Sequence, residues 1–155
     1  NAFVTSSYIG SVLAESFPLI EIGEQTTVDE AAFACANINS IKVHPRTTLN
    51  SGAFGNTTID NLTIMNDVTL NGQAFLYNNS GSYLYSKINI MSINSSVPKN
   101  AFKKCTIPTI YLGDLVTSVD STGFSSAKLT NVSVSKNTIY DEGAFGNATI
   151  TVREN

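Results

Sequence analysis

Charged residues are scarce in this chain of 155 residues: only 14% of them are Asp, Glu, Lys or Arg, and the net charge is −3. Domains that bind nucleic acids normally carry a basic stripe, so this charge argues against a nucleic-acid partner and against an anionic membrane surface. No apolar run approaches the roughly 20 residues of a transmembrane helix, and we therefore expect no insertion into a membrane.

Residues that carry enzyme chemistry are also few. His44 is the only histidine, and the carboxylates fall mostly at positions typical of turns. The chain has no glycine-rich phosphate loop, no paired-cysteine metal spacing and no Ser-His-Asp candidate. The sequence therefore predicts a non-catalytic protein that needs no cofactor and no metal ion.

An internal repeat dominates what is present. Six phenylalanines recur at intervals of 21, 21, 27, 22 and 21 residues: Phe33, Phe54, Phe75, Phe102, Phe124 and Phe145. An alanine precedes each of them except Phe124, which follows a glycine. Apolar residues recur at fixed offsets from each Phe, as Ile59, Leu62, Ile64 and Leu70 do after Phe54. Self-similarity at this period indicates a solenoid.

Every unit contains an apolar-x-apolar triplet such as Leu62-Thr63-Ile64. Period-two alternation of this kind predicts a half-buried strand, and one strand per unit predicts parallel stacking of successive units. We expect turns or short helices to return the chain to the next strand. At about 4.8 Å per strand, Cys35 and Cys105 lie roughly 14 Å apart, too far for a disulfide, so we predict two buried and unpaired thiols.

Two stretches depart from the repeat. The unit after Phe75 is about five residues too long over residues 76–87, and we expect its register to recover with Ile88 and Ile90 as the inward pair. At the N-terminus, residues 1–17 are predicted to form an atypical helical unit that covers the first coil, with Pro18 as its end. The sequence thus predicts a single solenoid domain over residues 1–155, with repeats from residue 18 onward.

The repeat resembles the BspA-like type of leucine-rich repeat. The closest copy runs over residues 101–112, where an Ala-Phe pair precedes a Cys and an Ile-x-Leu strand. The resemblance covers about residues 17 to 150 and implies a right-handed, horseshoe-type coil of about six repeats of about 21 to 27 residues. It also implies secreted or surface-anchored proteins of bacteria and some mucosal protozoa, with roles in adhesion to host proteins or other cells.

A candidate binding patch follows from what faces outward on the strands. The predicted register places one His and both methionines side by side in a single outward column, flanked by two lysines and a tyrosine. We call this set the predicted patch: Lys42, His44, Met65, Lys87, Met91 and Tyr111. Met and Tyr are favoured at recognition surfaces. Three interpretations stay open: a protein-binding patch, methionines that merely cover the core edge beside a solvated His44, and a soft-metal site.

The long unit supplies a second candidate, because insertions in repeat arrays often bind partners. It contains Tyr77, Tyr83 and Tyr85. The alternative is an ordinary loop whose tyrosines pack back onto the solenoid.

Three functional hypotheses follow. The preferred one is a non-catalytic protein-binding module of a cell-surface or secreted protein, acting in adhesion to a host extracellular or cell-surface protein. The alternatives are a structural spacer within a larger surface protein and a carbohydrate-binding repeat that recognises a glycan. Because the last strand, starting near Ile150, has no capping helix after it, we also expect either a longer array or end-to-end self-association.

Overall fold

The computed structural model of the protein describes residues 16–79 and 82–154, apart from the side chains of residues 77–79 and 82. Within those residues the chain forms strands joined by turns, and no helix. In chain order the strands are β1 (Ile20–Ile22), β2 (Thr27–Val28), β3 (Asn37–Val43), β4 (Thr48–Leu49), β5 (Thr58–Ile64), β6 (Thr69–Leu70), β7 (Leu76–Asn79), β8 (Ser82–Tyr85), β9 (Lys87–Ile93), β10 (Thr106–Leu112), β11 (Ser118–Val119), β12 (Lys128–Ser135), β13 (Ile139–Tyr140) and β14 (Thr149–Arg153).

The main sheet contains seven parallel strands in the order β1-β3-β5-β9-β10-β12-β14. Each coil of the solenoid contributes one strand, and equivalent residues are hydrogen-bonding neighbours, as Ile41 and Leu62 are. A second strip of two-residue strands runs on the return side, with β2-β4-β6 in one sheet and β11-β13 in another. The predicted parallel solenoid is therefore confirmed, and its returns are turns rather than short helices in the described residues.

The core is built from the apolar columns that the repeat defines. Ile59, Leu62 and Ile64 of β5 are each 1% exposed, and their equivalents in neighbouring coils are buried to the same degree. Because an alternating strand buries only one face, the next coil on either side must complete the burial. Stacking of coils thus supplies the core that a single 21-residue unit cannot form.

The Ala-Phe corners form a second continuous column. The rings from Phe33 to Phe124 stack in sequence with centroids 4.9 to 5.4 Å apart, and Phe145 continues the column in a tilted orientation at 5.7 Å. The backbone is paired there as well, since the Phe54 amide donates to the Ala74 carbonyl at 2.8 Å. Ala53 and Ala74 are fully buried, so a larger side chain would hold the coils apart.

Two residues before the ring, the backbone adopts a left-handed conformation in coil after coil. Gly52 has φ +76° and Gly143 has φ +89°, but Ala31, Gln73 and Asn100 adopt the same conformation with a side chain. Glycine is the residue that tolerates this region at least cost. The corner geometry is therefore imposed by the stacked coils even where the local sequence does not favour it.

The register predicted for the fourth coil is wrong. β9 pairs with β5 so that Ile88 lies opposite Ile59, Met91 opposite Leu62, and Ile93 opposite Ile64. Met91 is consequently 0% exposed, while Ile90, which we expected to face inward, is 45% exposed. The inward triplet of this coil is Met91-Ser92-Ile93.

The reason lies in two compensating changes of length. Ten residues separate Phe75 from Ser86, whereas two separate the equivalent Phe54 from Thr57. The following turn is shortened, because Val97 comes four positions after Ile93, whereas Leu70 comes six positions after Ile64. The interval of 27 residues between phenylalanines reports only the net change.

Other expectations have mixed outcomes. The predicted N-terminal helix lies outside the described residues except at its end, where Phe17 pairs in parallel with Ile38 and continues the core columns. Both cysteines are unpaired; Cys105 is buried as predicted, but Cys35 is partly exposed. The prediction of one domain over residues 1–155 stays a prediction.

Candidate functional site

The shortened turn of the fourth coil interrupts the return side of the solenoid. Among the described residues, the short strands pair from β2 to β6, and pairing resumes where Val97 bridges Val119 of β11. Leu70 and Val97 occupy equivalent return-side positions in adjacent coils, but no ladder joins these two positions among the described residues. Residues 94–96 form a turn that is shorter than the turns of the two neighbouring coils, and the surface has a depression at that point.

The indentation consists of two depressions, one at the turns with a volume of about 280 Å³ and one on the strand face with a volume of about 450 Å³. Asn66, Asn94 and Leu115 line both, so the two are continuous. We name them together the notch. Its first wall is Met65, Asn66 and Asp67; its floor is Ser92 and Asn94–Ser96; and its second wall is Tyr111, Asp114 and Leu115.

Hydrogen bonds from the short turn hold both walls in place. The buried Ser95 hydroxyl donates to the Met65 carbonyl at 2.6 Å and accepts the Val68 amide at 3.0 Å. On the other side the Asn94 side-chain oxygen accepts the Leu115 amide at 3.0 Å. A Cβ at Gly113 would overlap the Asn94 side chain, which explains the glycine at that position. The notch is therefore preorganised by residues of its own floor.

The second wall exposes apolar surface. Leu115 is 59% exposed and Tyr111 is 43% exposed, although most other apolar residues of this coil are buried. Met65, on the first wall, is half-buried. Exposed aliphatic and aromatic side chains grouped around a recess are typical of interaction sites.

Arg153 of β14 covers one side of Tyr111. Its guanidinium carbon lies 4.0 Å from the centre of the Tyr111 ring, and Nη2 donates to the Leu112 carbonyl at 2.7 Å and to the Asp114 carboxylate at 2.8 Å. Its Nη1 donates to Ser133 of the intervening strand at 2.9 Å. The side chain thus spans three coils and fixes the edge of the second wall.

The structure brings together only part of the predicted patch. His44 and Met65 lie on adjacent strands, each following the inward residue of its strand, as predicted. His44 lies 3.8 Å from the Glu21 carboxylate. Lys42 lies in the same row as Tyr111, but two strands, β5 and β9, separate them. Met65 and Tyr111 both line the notch.

Two members of the predicted patch are displaced from it. Met91 is a core residue, because the register of β9 turns it inward, and its outward placement is therefore wrong. Lys87 is exposed but begins β9, at the opposite end from Ile93, where the notch lies. Its neighbours in the sheet are Thr58 and Thr106 rather than His44 or Met65.

In the tyrosine-bearing insertion β7 pairs antiparallel with β8, so the insertion is a β-hairpin rather than an irregular loop. Tyr83 is 57% exposed and Leu84 is 41% exposed. Tyr85 is half-buried, and the Lys104 ammonium lies 5.4 Å from the centre of its ring. The side chain of Tyr77 is outside the described residues. The hairpin thus presents Tyr83 outward, while Tyr85 is close to the next coil.

Sequence reasoning missed Arg153 and Leu115. Arg153 stands beside Ser135 in the outward column, but it lies eight residues after its Phe, whereas Ser135 lies eleven after its own, so the offsets from Phe do not indicate it. Leu115 gave a weak signal: it is an apolar residue in a turn where the neighbouring Val116 already fills the core position.

The described residues contain neither a candidate metal site nor a candidate membrane-spanning helix. In residues 16–79 and 82–154, no group of three or more His, Cys, Asp or Glu side chains could hold a metal ion. No helix in that part of the chain is long and apolar enough to cross a membrane.

Comparison with known proteins was made at three levels. Neither the curated proteins nor the solved structures gave a match. The sequence model of the BspA type leucine-rich repeat region matches in six copies, over residues 13–82 and 80–152. This range contains all the stacked strands described above except the last residue of β14, and the family is typically found in surface or secreted proteins. The chain belongs to the BspA-type leucine-rich repeat family.

Proposed function

We propose that this chain is a non-catalytic protein-binding module of a cell-surface or secreted protein, and that it acts in adhesion by holding a segment of a partner protein in the notch. The observation that carries the proposal is the exposure of Leu115 and Tyr111 beside a recess whose floor is hydrogen-bonded to both of its walls. Apolar anchors around a preformed depression are the features that supply most of the affinity in protein interfaces.

The position of the notch also supports the proposal. Stacked coils of equal length give a surface that repeats from one coil to the next, and such a surface offers no unique place for a partner. The short turn at residues 94–96 interrupts that repetition, and the two neighbouring turns become walls. A partner segment lying there would contact three coils at once.

A random dodecapeptide library displayed on phage tests this function. Peptides are selected on the immobilised chain and then measured on two variants, Leu115→Asp and Ile139→Asp. Both residues are large, apolar and exposed, at 59% and 76%, but Ile139 lies on β13 of the return side and does not line the notch. Thermal unfolding of both variants shows whether each one folds.

We expect the selected peptides to bind the wild type and Ile139→Asp with equal affinity and to lose at least tenfold in affinity for Leu115→Asp. Equal binding to both variants would remove the notch from the proposal. Failure to select any peptide would count against a protein-binding module and favour the spacer, whereas binding only to an array of glycans would favour the carbohydrate-binding alternative.

A further inference from the structure

The charges around the notch indicate the kind of segment that it holds. We infer that the partner segment presents a cationic side chain next to an aliphatic one: the cation pairs with Asp67 and the aliphatic group packs on Leu115. This inference rests on the proposed function and adds to it the chemistry of the partner.

Asp67 is an exposed carboxylate on the first wall of the notch. Among residues 16–79 and 82–154, no ion pair involves its side chain. Arg46, the cation of the neighbouring turn, donates its backbone amide to the Asp67 carbonyl, but its guanidinium pairs with Glu24 instead. The carboxylate of Asp67 is therefore available to a charge brought by another molecule.

The opposite wall already holds a cation. The Arg153 guanidinium lies against the Tyr111 ring and forms an ion pair with Asp114. Arginine is suited to such a position because its planar group stacks on an aromatic ring while it donates several hydrogen bonds. With Asp114 satisfied in this way, Asp67 is the unpaired charge of the notch.

The space between the walls fits the aliphatic neighbour. Leu115 and Asp67 line the same depression at the turns, and the floor between them is Asn94, Ser95 and Ser96. The Leu115 backbone is fixed by Asn94, so little ordering is required of the wall when it is covered. Adjacent side chains of one short segment can therefore contact both groups together.

Defined peptide pools test this inference. Each pool is an eight-residue peptide with a fixed central pair, Leu-Arg, Leu-Lys, Leu-Gln or Leu-Glu, and equimolar mixtures at the other six positions. The pools are immobilised, and binding of the fluorescently labelled chain is measured at 50 and 300 mM NaCl. The proteins are the wild type, Asp67→Asn, Asp60→Asn and Leu115→Asp.

Asp60→Asn is the matched control, because it removes the same charge from an exposed carboxylate of β5 that lies outside the notch. We expect the Leu-Arg and Leu-Lys pools to bind the wild type at least fivefold more strongly than Leu-Gln, with Leu-Glu weakest. Asp67→Asn should abolish this preference and Asp60→Asn should retain it. The preference should also shrink at 300 mM NaCl, since exposed charges are screened.

The order of the two basic pools separates a guanidinium from an ammonium preference, and either order supports the inference. Equal binding of the Leu-Arg and Leu-Gln pools, or an unchanged preference in Asp67→Asn, would overturn it. If all four pools bind equally and Leu115→Asp abolishes that binding, the proposed function survives and only the cationic requirement fails. If no pool binds a chain that does bind phage-selected peptides at the notch, the inference is likewise refuted.

Discussion

The coils that begin at Phe54 and at Phe75 share one core and differ in both of their connections. Two residues separate Phe54 from Thr57, which immediately precedes β5, and from Ile64 the chain returns in six positions to Leu70. From Phe75 it passes through a ten-residue hairpin and returns in four positions to Val97. The inward residues are nonetheless buried to the same degree in both coils.

This contrast shows which parts of a repeat the stack determines and which parts it leaves free. Every inward side chain must meet its neighbours above and below, so the columns tolerate little change. Connections face solvent on at least one side, and a change of length there costs mainly loop-closure entropy, which rises slowly with length. The hairpin and the floor of the notch both belong to the fourth coil.

The largest expected effect is at the core position that distinguishes the two registers of this coil. Met91→Ala should lower the free energy of unfolding by about 2–5 kcal/mol, because it removes a fully buried side chain and leaves a cavity. Met91→Leu conserves volume and should cost less than about 1.5 kcal/mol. Urea denaturation followed by circular dichroism measures both.

Met65→Ala is the matched control for Met91→Ala. Met65 is half-buried at the rim of the notch, so its truncation should cost about 1 kcal/mol or less. If the two alanine variants were equally stable, Met91 would face outward and the register of β9 would have to shift by three residues.

The position of Met91 also shows how far the sequence could lead. Where the interval between phenylalanines is 21 or 22 residues, the offsets from Phe predicted every inward column correctly, as Ile110 and Val132 illustrate. In the fourth coil both Ile88-Asn89-Ile90 and Met91-Ser92-Ile93 satisfy the apolar-x-apolar pattern. Only the pairing with β5 selects between them, and the local apolar pattern does not specify that pairing.

The candidate site was less predictable than the fold, for a related reason. Met65 and Tyr111 were identified from the outward columns and do line one recess. The recess itself comes from a turn shortened by two residues, and the longer hairpin conceals that shortening in the total length of the unit. Asp67, Asp114 and Leu115 line one recess only because the turn between their coils is short.

The second prediction concerns the bonds that keep the notch open. Ser95→Ala should lower the free energy of unfolding by about 1–3 kcal/mol, because it leaves the Val68 amide and the Met65 carbonyl without their hydrogen bonds to the buried hydroxyl. Ser96→Ala is the control: Ser96 is exposed and bonds only to the Thr117 hydroxyl, so we expect a change within about 0.5 kcal/mol. Equal effects would show that Ser95 does not hold the short turn.

The third prediction uses the column behind the hairpin, where polar side chains replace the alanines of other coils. Thr57, Ser86 and Cys105 occupy it in consecutive coils, whereas Ala36 and Ala127 occupy it elsewhere. Burial raises the pKa of the Cys105 thiol from 9.0 to about 12, and a backbone hydrogen bond with Ser86 partly opposes this rise. The thiol therefore stays protonated in the folded chain at a pH where the unfolded chain ionises.

The sign of the pH dependence follows from that pKa. The stabilising effect is complete below pH 9, where both states hold the proton, and is lost as the pH rises toward 12. Relative to Cys105→Ala, the wild type should lose at most about 1.4 kcal/mol per pH unit above pH 9. Urea denaturation of both proteins at pH 8, 9, 10 and 10.5 isolates this difference from the titration of lysines and tyrosines. Parallel curves would mean that Cys105 reaches solvent in the folded state.

The smallest expected effect is the most direct test of the comparison between the two coils. Replacing residues 76–85 with Gly-Asn, the pair found at Gly55-Asn56, converts the fourth coil to the regular connection. The ends of the hairpin are already closed as in the regular coil: the Ser86 amide donates to the Phe75 carbonyl at 3.2 Å, as the Thr57 amide does to the Phe54 carbonyl at 3.4 Å. Asn at the second position also accepts the required left-handed backbone, since Asn56 has φ +58°.

Two opposing contributions of similar size determine the result. Shortening the connection from ten residues to two lowers the closure cost by about 1.4 kcal/mol, while loss of the buried Leu76 side chain removes about 1.5–3 kcal/mol of apolar burial. We expect the free energy of unfolding to change by no more than about 1.5 kcal/mol, with a cooperative transition and peptide binding at the notch retained. A loss of more than about 3 kcal/mol would show that the hairpin is part of the core of the fourth coil, and the distinction between fixed columns and free connections would then fail where the two coils differ most.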